Sequence, residues 1–273
     1  MKTICIIGAR GGSKRLYRKN VKFFCGKPLV EWSIIQARAS HLFVGIWLTT
    51  DDDEIAEIGR RHGINIIRRP DWDDPDLLAI NIAVIHALEE IEKQGIDYDS
   101  MIITIPTQVC KQPDDLDKLI LRYAELKRRY DIHAVHSVYF PRETVIYEKL
   151  NSDKTKCVVF SKDFKYGTQS SSGSLNEKDW YKKIASKLIY DSEVDDYAIE
   201  DIPDAAPELR GEEIFYIPAK WYQQFDIDDL DGFELCEILF ERYILKGRDE
   251  KVYWDYKKGQ GDAIRAALEE IEK

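Results

Sequence analysis

The chain has 273 residues, 44% of them hydrophobic, enough to bury a substantial core as one large domain or as a domain with an arm. Fifty Asp and Glu against 40 Lys and Arg give a formal net charge of -10, which argues against a general nucleic-acid-binding surface. No apolar run approaches membrane-spanning length, and the N-terminus opens on a strand pattern rather than a signal peptide. The five cysteines (Cys5, Cys25, Cys110, Cys157 and Cys236) show neither zinc-ribbon nor disulfide-scaffold spacing, so the expectation is a soluble protein of the reducing cytoplasm.

In chain order, the apolar run Thr3–Ile7 predicts a buried strand. It empties into Gly8-Ala9-Arg10-Gly11-Gly12-Ser13-Lys14-Arg15, a glycine-rich loop crowded with cations that Arg18 and Lys19 extend. Glycines let backbone approach a ligand closely, and this much local positive charge in an acidic chain asks for an anionic partner, most economically a polyphosphate. The loop is neither common phosphate fingerprint: a Walker pattern needs glycine where Ser13 stands, and the dinucleotide fingerprint fails on spacing.

Helix-like spacing follows over Leu29–Ala39, then a strand over Phe43–Thr50 ending in Asp51-Asp52-Asp53, a helix over Glu54–His62 and a short strand over Ile64–Ile67 closed by Arg68-Arg69-Pro70. Ile80–Lys93 reads as helix, Ser100–Ile105 as strand, Asp114–Tyr130 as helix and His133–Val138 as strand. This alternation predicts an α/β fold with a doubly wound, mostly parallel sheet, in which ligands lie beyond the carboxyl ends of the strands. The basic loop, Asp51 and Arg69 would then meet at one crevice. Past residue 139 the pattern weakens. Residues 161–212 are rich in Ser, Asp, Glu and Lys, and Gln169-Ser170-Ser171-Ser172-Gly173-Ser174 reads as a flexible loop. The stretch 139–212 is therefore expected to leave the core as a dimerisation arm or a lid within a domain spanning 1–246. Regular signal returns at Glu213–Ile217 and Trp221–Leu245, and 247–273 reads as a charged extension ending in a helix, Gly261–Lys273.

A second constellation lies at Phe225-Asp226-Ile227-Asp228-Asp229-Leu230-Asp231. In an extended segment Asp226 and Asp228 point to the same face, a seat for Mg²⁺, which takes one or two carboxylates plus phosphate oxygens. The acidic residues also suit the N-terminus of a helix at Gly232–Leu245, with Asp229 or Asp231 serving the helix while Asp226 and Asp228 face the metal.

Ala9-Arg10-Gly11-Gly12-Ser13-Lys14-Arg15-Leu16, Arg18-Lys19-Asn20 and Gly26-Lys27-Pro28-Leu29 strongly resemble the opening of the CMP-sugar synthetases, or acylneuraminate cytidylyltransferases. Thr49-Thr50-Asp51, Asp53-Glu54-Ile55-Ala56, Arg69-Pro70, Asp76, His86-Ala87-Leu88-Glu89 and, late in the chain, Asp226-Ile227-Asp228-Asp229 with Phe233-Glu234-Leu235 follow in the same order. The resemblance covers about residues 1–140 and 212–245 and implies a Rossmann-like nucleotidyltransferase. The reaction it implies is Mg²⁺-dependent transfer of CMP from CTP to the anomeric hydroxyl of a nonulosonic or related sugar acid, releasing pyrophosphate, for surface glycan synthesis. On that resemblance Arg10, Lys14 and Asp228 are catalytic. Arg10, Ser13, Lys14 and Lys19 hold the triphosphate, Asn20 and Arg69 help fix the cytidine, Ala9, Gly11 and Gly12 complete the nucleotide-binding set, and Asp226 and Asp228 hold Mg²⁺. Asp51 either joins the metal or a water, or caps the helix near Glu54. The family's middle excursion commonly builds a homodimer.

The departures fall on the sugar side. The family's Gln-Pro-Thr-Ser-Pro-Leu-Arg run is here Ile105-Pro106-Thr107-Gln108-Val109-Cys110-Lys111, with Gln108 and Lys111 as partial substitutes, and Arg210 is the candidate for a further sugar-site arginine. A pocket that loses such polar groups is expected to take an acceptor other than ordinary sialic acid. The alternatives are a nucleotidyltransferase using another nucleotide or a sugar phosphate, and a non-catalytic nucleotide-binding relative.

Overall fold

The computed structural model describes residues 1–13, 15–72, 80–139, 147–150, 157–160, 168–185 and 215–273. The first apolar run forms β1 (Thr3–Gly8), and all six residues are buried, as expected of a parallel strand covered on both faces. β1 pairs in parallel with β4 (Phe43–Thr50) on one side and β6 (Ser100–Thr104) on the other, and β4 continues in parallel to β5 (Asn65–Arg68). Between β1 and β4 lie a two-residue-strand hairpin, β2 (Phe23–Phe24) and β3 (Lys27–Pro28), and helix α1 (Leu29–Ala39). The hairpin turns through Cys25 (φ 44°) and Gly26 (φ 82°), the two left-handed positions such a turn demands.

The main sheet has seven strands in the order β11-β7-β10-β6-β1-β4-β5, with β7 at Ala134–Tyr139, β10 at Thr168–Glu177 and β11 at Phe215–Pro218. All run the same way except β10, which is antiparallel to both neighbours. The chain winds from β1 outward to β5 and then returns to β6 on the other side of β1. The reversal opens a crevice beyond the carboxyl ends of β1 and β6. Alternation sorts the strand residues. Ile4, Ile6 and Met101 face α3 (Ile80–Lys93) and α5 (Lys178–Ala185). Cys5 and Ile7 face α1 and α2 (Asp53–Arg61), and Ile102 and Val135 face α4 (Asp115–Lys127).

The doubly wound, mostly parallel sheet is therefore present, and two readings need correction. Gln169–Ser174 belongs to β10 rather than to a free loop. Its pairing with β7 shifts register between Gln169 and Ser174, so Ser170-Ser171-Ser172-Gly173 form an irregularity in the ladder, and Leu175 beyond it is fully buried. The rest of the excursion includes a separate antiparallel pair, β8 (Tyr147–Leu150) with β9 (Cys157–Phe160). Residues 140–146, 151–156, 161–167 and 186–214, on which much of the arm or lid expectation rests, lie outside the described residues.

The second correction concerns the C-terminus. Trp221–Gln224 is a 3-10 turn, α6 spans Leu230–Phe240, and a π-helical turn (Glu241–Leu245) ends it. The charged extension then forms two packed helices, α7 (Lys251–Gly259) and α8 (Gly261–Glu272). Only α8 is legible from spacing. α7 buries Val252 and Tyr253 against Trp32 and Phe240, while α8 lays Ile264 and Leu268 on the α4 cluster. A buried carboxylate fastens this end to the core: Asp117 accepts from the Tyr256 hydroxyl (2.7 Å) and the His41 amide (3.0 Å), with His41 Nδ1 at 2.9 Å.

Candidate active site

β1 delivers its loop into the crevice. The Ala9 amide continues the strand by donating to the Thr49 carbonyl (3.1 Å), and the Gly11 amide donates to Asp51 Oδ1 (2.8 Å), pinning the loop to the end of β4. A Cβ on Gly11 would lie 2.5 Å from Asp52 Oδ2, so this close approach needs glycine. Asp52 cannot retreat. It caps α2 by accepting from the Ile55 amide (3.0 Å) and pairs with Arg18 Nη1 (2.9 Å). Burial raises its carboxyl, but the Ile55 amide and Arg18 prevail and hold it below the ordinary carboxylate range. The helix cap is thus Asp52 and not Asp51, whose side chain serves the loop instead.

Arg18 stands in the left-handed region (φ 48°) and turns the chain into a short 3-10 segment carrying Lys19 and Asn20. Asn20 Nδ2 donates to the Arg10 carbonyl (2.8 Å), so its donor shapes the loop from beneath, while its Oδ1 is buried without a partner. Gly12 is exposed and Ser13 half-buried at the loop's tip. Lys14 lies outside the described residues. Across the crevice Arg69 donates to Thr49 Oγ1 (3.3 Å) and to the Thr49 carbonyl (3.1 Å). Burial lowers its guanidinium to about 10, opposed by Asp51 and assisted by Arg10. Arg10 also depresses Lys19, so Arg10 lies near both.

The late aspartates reach this loop directly. Ile227 is fully buried while Asp226 and Asp228 on either side are exposed, the alternation of an extended segment. Lys19 Nζ donates to the Ile227 carbonyl and Arg15 Nη2 pairs with Asp228 Oδ1 at 2.9 Å. Burial lowers the Lys19 ammonium, and Asp228 and Asp226 oppose that shift. Asp229 caps α6 by accepting from the Gly232 amide (2.8 Å), which leaves the two flanking carboxylates free of helix duty. Among the described residues no three His, Cys, Asp or Glu side chains converge as a metal cluster, so Asp51 does not join Asp226 and Asp228 in a three-carboxylate set. Two exposed, hard oxygen donors on one side of the segment still suit a Mg²⁺ that completes its shell with phosphate and water oxygens.

The loop after β6 lies beneath that segment, because the Ile227 amide donates to the Thr107 carbonyl (3.2 Å). Gln108 is half-buried there. Lys111 is fully buried with its ammonium on the Gln108 carbonyl, so it works from behind the loop rather than at an open pocket. Arg210 lies outside the described residues. Cys110 is fully buried, with a thiol raised by its contact with Cys236 and by burial, which suits a small core residue. Sequence reasoning missed Gln36, Gln223 and Tyr253, all buried and all bonded to this loop. Gln36 alone carried a signal: a polar residue on the apolar face of α1.

A cytidylyltransferase family model matches residues 4–197, more than half of the chain. Pseudaminic acid cytidylyltransferase of Campylobacter jejuni is 31% identical over 170 residues, which cover 62% of this chain and 72% of that one. CMP-N,N'-diacetyllegionaminic acid synthase of Legionella pneumophila is 29% identical over 120 residues, 42% of this chain and 50% of the relative. Among solved structures, CMP:2-keto-3-deoxy-manno-octonic acid synthetase complexed with CTP superposes with a TM-score of 0.62 at 16% identity, covering 89% of this chain and 100% of that one, a likeness of fold. With a family model that matches more than half of its length, the chain belongs to the cytidylyltransferase family of CMP-sugar synthetases.

Proposed function

We propose that this enzyme transfers CMP from CTP to the anomeric hydroxyl of a nonulosonic acid and releases pyrophosphate, with Mg²⁺ as its metal. The observation that carries the reading is the direct contact between the basic loop after β1 and the late aspartate segment. Arg15 and Lys19 of the basic loop touch Asp228 and the Ile227 carbonyl, so one crevice presents phosphate-binding cations and hard carboxylates side by side. The names of the relatives, cytidylyltransferases of pseudaminic, N,N'-diacetyllegionaminic and N-acylneuraminic acids, support an acceptor of the nonulosonic class, and the altered 105–111 run favours one other than ordinary sialic acid.

In this reaction the Gly11–Ser13 backbone and Arg10 hold the triphosphate, and Arg15 and Lys19 exchange their present carboxylate and carbonyl partners for phosphate oxygens. Asp226 and Asp228 would hold the Mg²⁺, whose charge, once bound, offsets that of the α-phosphate and the leaving pyrophosphate. Fixed cations aimed at the phosphates lower the barrier without reorganising during the step, and alignment of the attacking hydroxyl needs no dedicated general base.

Thermal unfolding with Mg²⁺ and each of CTP, UTP, ATP, GTP and dTTP tests the nucleotide. A ligand specific for the folded state stabilises it by about 2.7 kcal/mol at a hundredfold excess over its dissociation constant. The expected result is a Mg²⁺-dependent shift selective for CTP, followed by pyrophosphate release on adding pseudaminic or N,N'-diacetyllegionaminic acid. Selectivity for another nucleotide overturns the reading. Gly11→Ala should weaken CTP binding about tenfold, ~1.4 kcal/mol, because the new methyl meets the immobilised Asp52 carboxylate. An unchanged CTP titration in that variant would remove the loop from the phosphate site.

A further inference from the structure

Five consecutive carbonyls in the loop after β6 have a named donor each. The Thr107 carbonyl takes the Ile227 amide (3.2 Å), Gln108 the Lys111 ammonium, Val109 the Gln36 side-chain amide (2.7 Å), Cys110 that of Gln223 (3.1 Å) and Lys111 the Tyr253 hydroxyl (2.7 Å). Lys111 belongs to the loop itself and Ile227 to the aspartate segment, while the other three donors come from α1, from the turn before that segment and from α7, so the loop is clamped by elements far apart in sequence. A loop of ordinary mobility would leave these carbonyls to water; here they are spent on fixing one backbone path.

Tyr253 is the donor most distant in sequence from the loop. It is fully buried, and its hydroxyl accepts from Gln36 Nε2 (3.2 Å) while donating to the Lys111 carbonyl, so α1 and α7 act on the loop as one chain of hydrogen bonds. Burial raises the phenol well above its ordinary range and keeps the donor proton in place. Tyr253 also lies beyond residues 4–197, the part of the chain that the family model matches.

We propose that Tyr253 is a positioning residue of the enzyme: from α7 it holds the loop 105–112, and through the Thr107–Ile227 hydrogen bond it sets the place of Asp226 and Asp228. Helix α7 is then part of the active-site scaffold rather than an appendage. This rests on the proposed reaction for its kinetic consequence, but the hydrogen-bond clamp itself can be tested without turnover.

The test compares Tyr253→Phe with Val252→Ala, a neighbouring core substitution that touches none of the loop's hydrogen bonds. Amide hydrogen exchange over 105–112 and 225–229 should quicken in Tyr253→Phe and stay unchanged in Val252→Ala. With CTP and the sugar acid, Tyr253→Phe should lose roughly threefold to tenfold in kcat or in acceptor KM, the size of one lost hydrogen bond. Val252→Ala should lower the unfolding midpoint while keeping both kinetic constants. Unchanged exchange in Tyr253→Phe, or a kinetic loss that Val252→Ala reproduces, overturns the proposal. A wild type that turns over no sugar acid overturns the reaction instead, and the exchange result then decides the clamp alone.

Discussion

Asp228→Asn is expected to lower the rate of pyrophosphate release by about 10²–10³-fold, the scale of losing one preorganised group that stabilises charge in the transition state. Thermal unfolding should hardly move. The Asp228 side chain is 53% exposed and its partner Arg15 is 70% exposed, and an ion pair in that setting contributes only ~0–1 kcal/mol. The neighbouring Asp229 supplies the contrast. Its carboxylate caps α6, so Asp229→Ala should cost about 1 kcal/mol of stability while leaving most of the turnover intact. Adjacent aspartates thereby separate into one that serves the reaction and one that serves the helix. The pair of measurements, steady-state pyrophosphate release and melting midpoint, reads both at once. Full turnover in Asp228→Asn, or an equal kinetic collapse in Asp229→Ala, would remove the carboxylate from the site.

That separation shows where the sequence is readable and where it stops. The buried run Thr3–Ile7, the helix after Pro28 and the basic loop announce themselves, because apolar period, glycine and charge are local signals. Asp226 and Asp228 are legible for the same reason: Ile227 between them must be buried, which turns both carboxylates outward. The roles within Asp51-Asp52-Asp53 are not, since all three suit a helix start. The folded chain separates them: Asp52 meets the Ile55 amide and Asp51 the Gly11 amide, a contact 40 residues apart that no local pattern announces. β10 hides because its Ser-Ser-Ser-Gly stretch falls where the register shifts, and Leu175 is the one large apolar side chain in Thr168–Glu177. α7 hides because its buried pair, Val252 and Tyr253, is too short to establish a period among charged neighbours.

Lys111 is named by the sequence, but its full burial is not legible there, and it carries the second large prediction: Lys111→Met should stabilise the fold near neutral pH and damage catalysis. The side chain is fully buried, and burial lowers its ammonium from 10.5 to about 8 despite the opposing pull of Asp226. Keeping that charge inside costs the folded state about 3 kcal/mol at pH 7. Methionine removes the cost but leaves the Gln108 carbonyl without its donor, a penalty of ~1–3 kcal/mol, so the net gain expected is about 1 kcal/mol. The pH dependence distinguishes this from a simple packing change. Between about 8 and 10.5 the unfolded chain binds the proton that the folded protein has released, so wild-type stability from this group rises with pH through that window. It is lost again as pH falls through 8. The variant has no such contribution, so its advantage at pH 7 should shrink and then reverse as pH approaches 10.5, where the neutral amine still satisfies the carbonyl. Chemical denaturation of both proteins at pH 7 and pH 10 measures the crossover, and turnover at pH 7 should fall about tenfold or more as the loop beneath Asp226 loses its anchor. A variant that is less stable than wild type by the same amount at both pH values would show that the ammonium is not strained by burial. A cation retained at a stability cost, directly behind the loop that carries the carboxylate segment, is what selection for function rather than for stability leaves in a core.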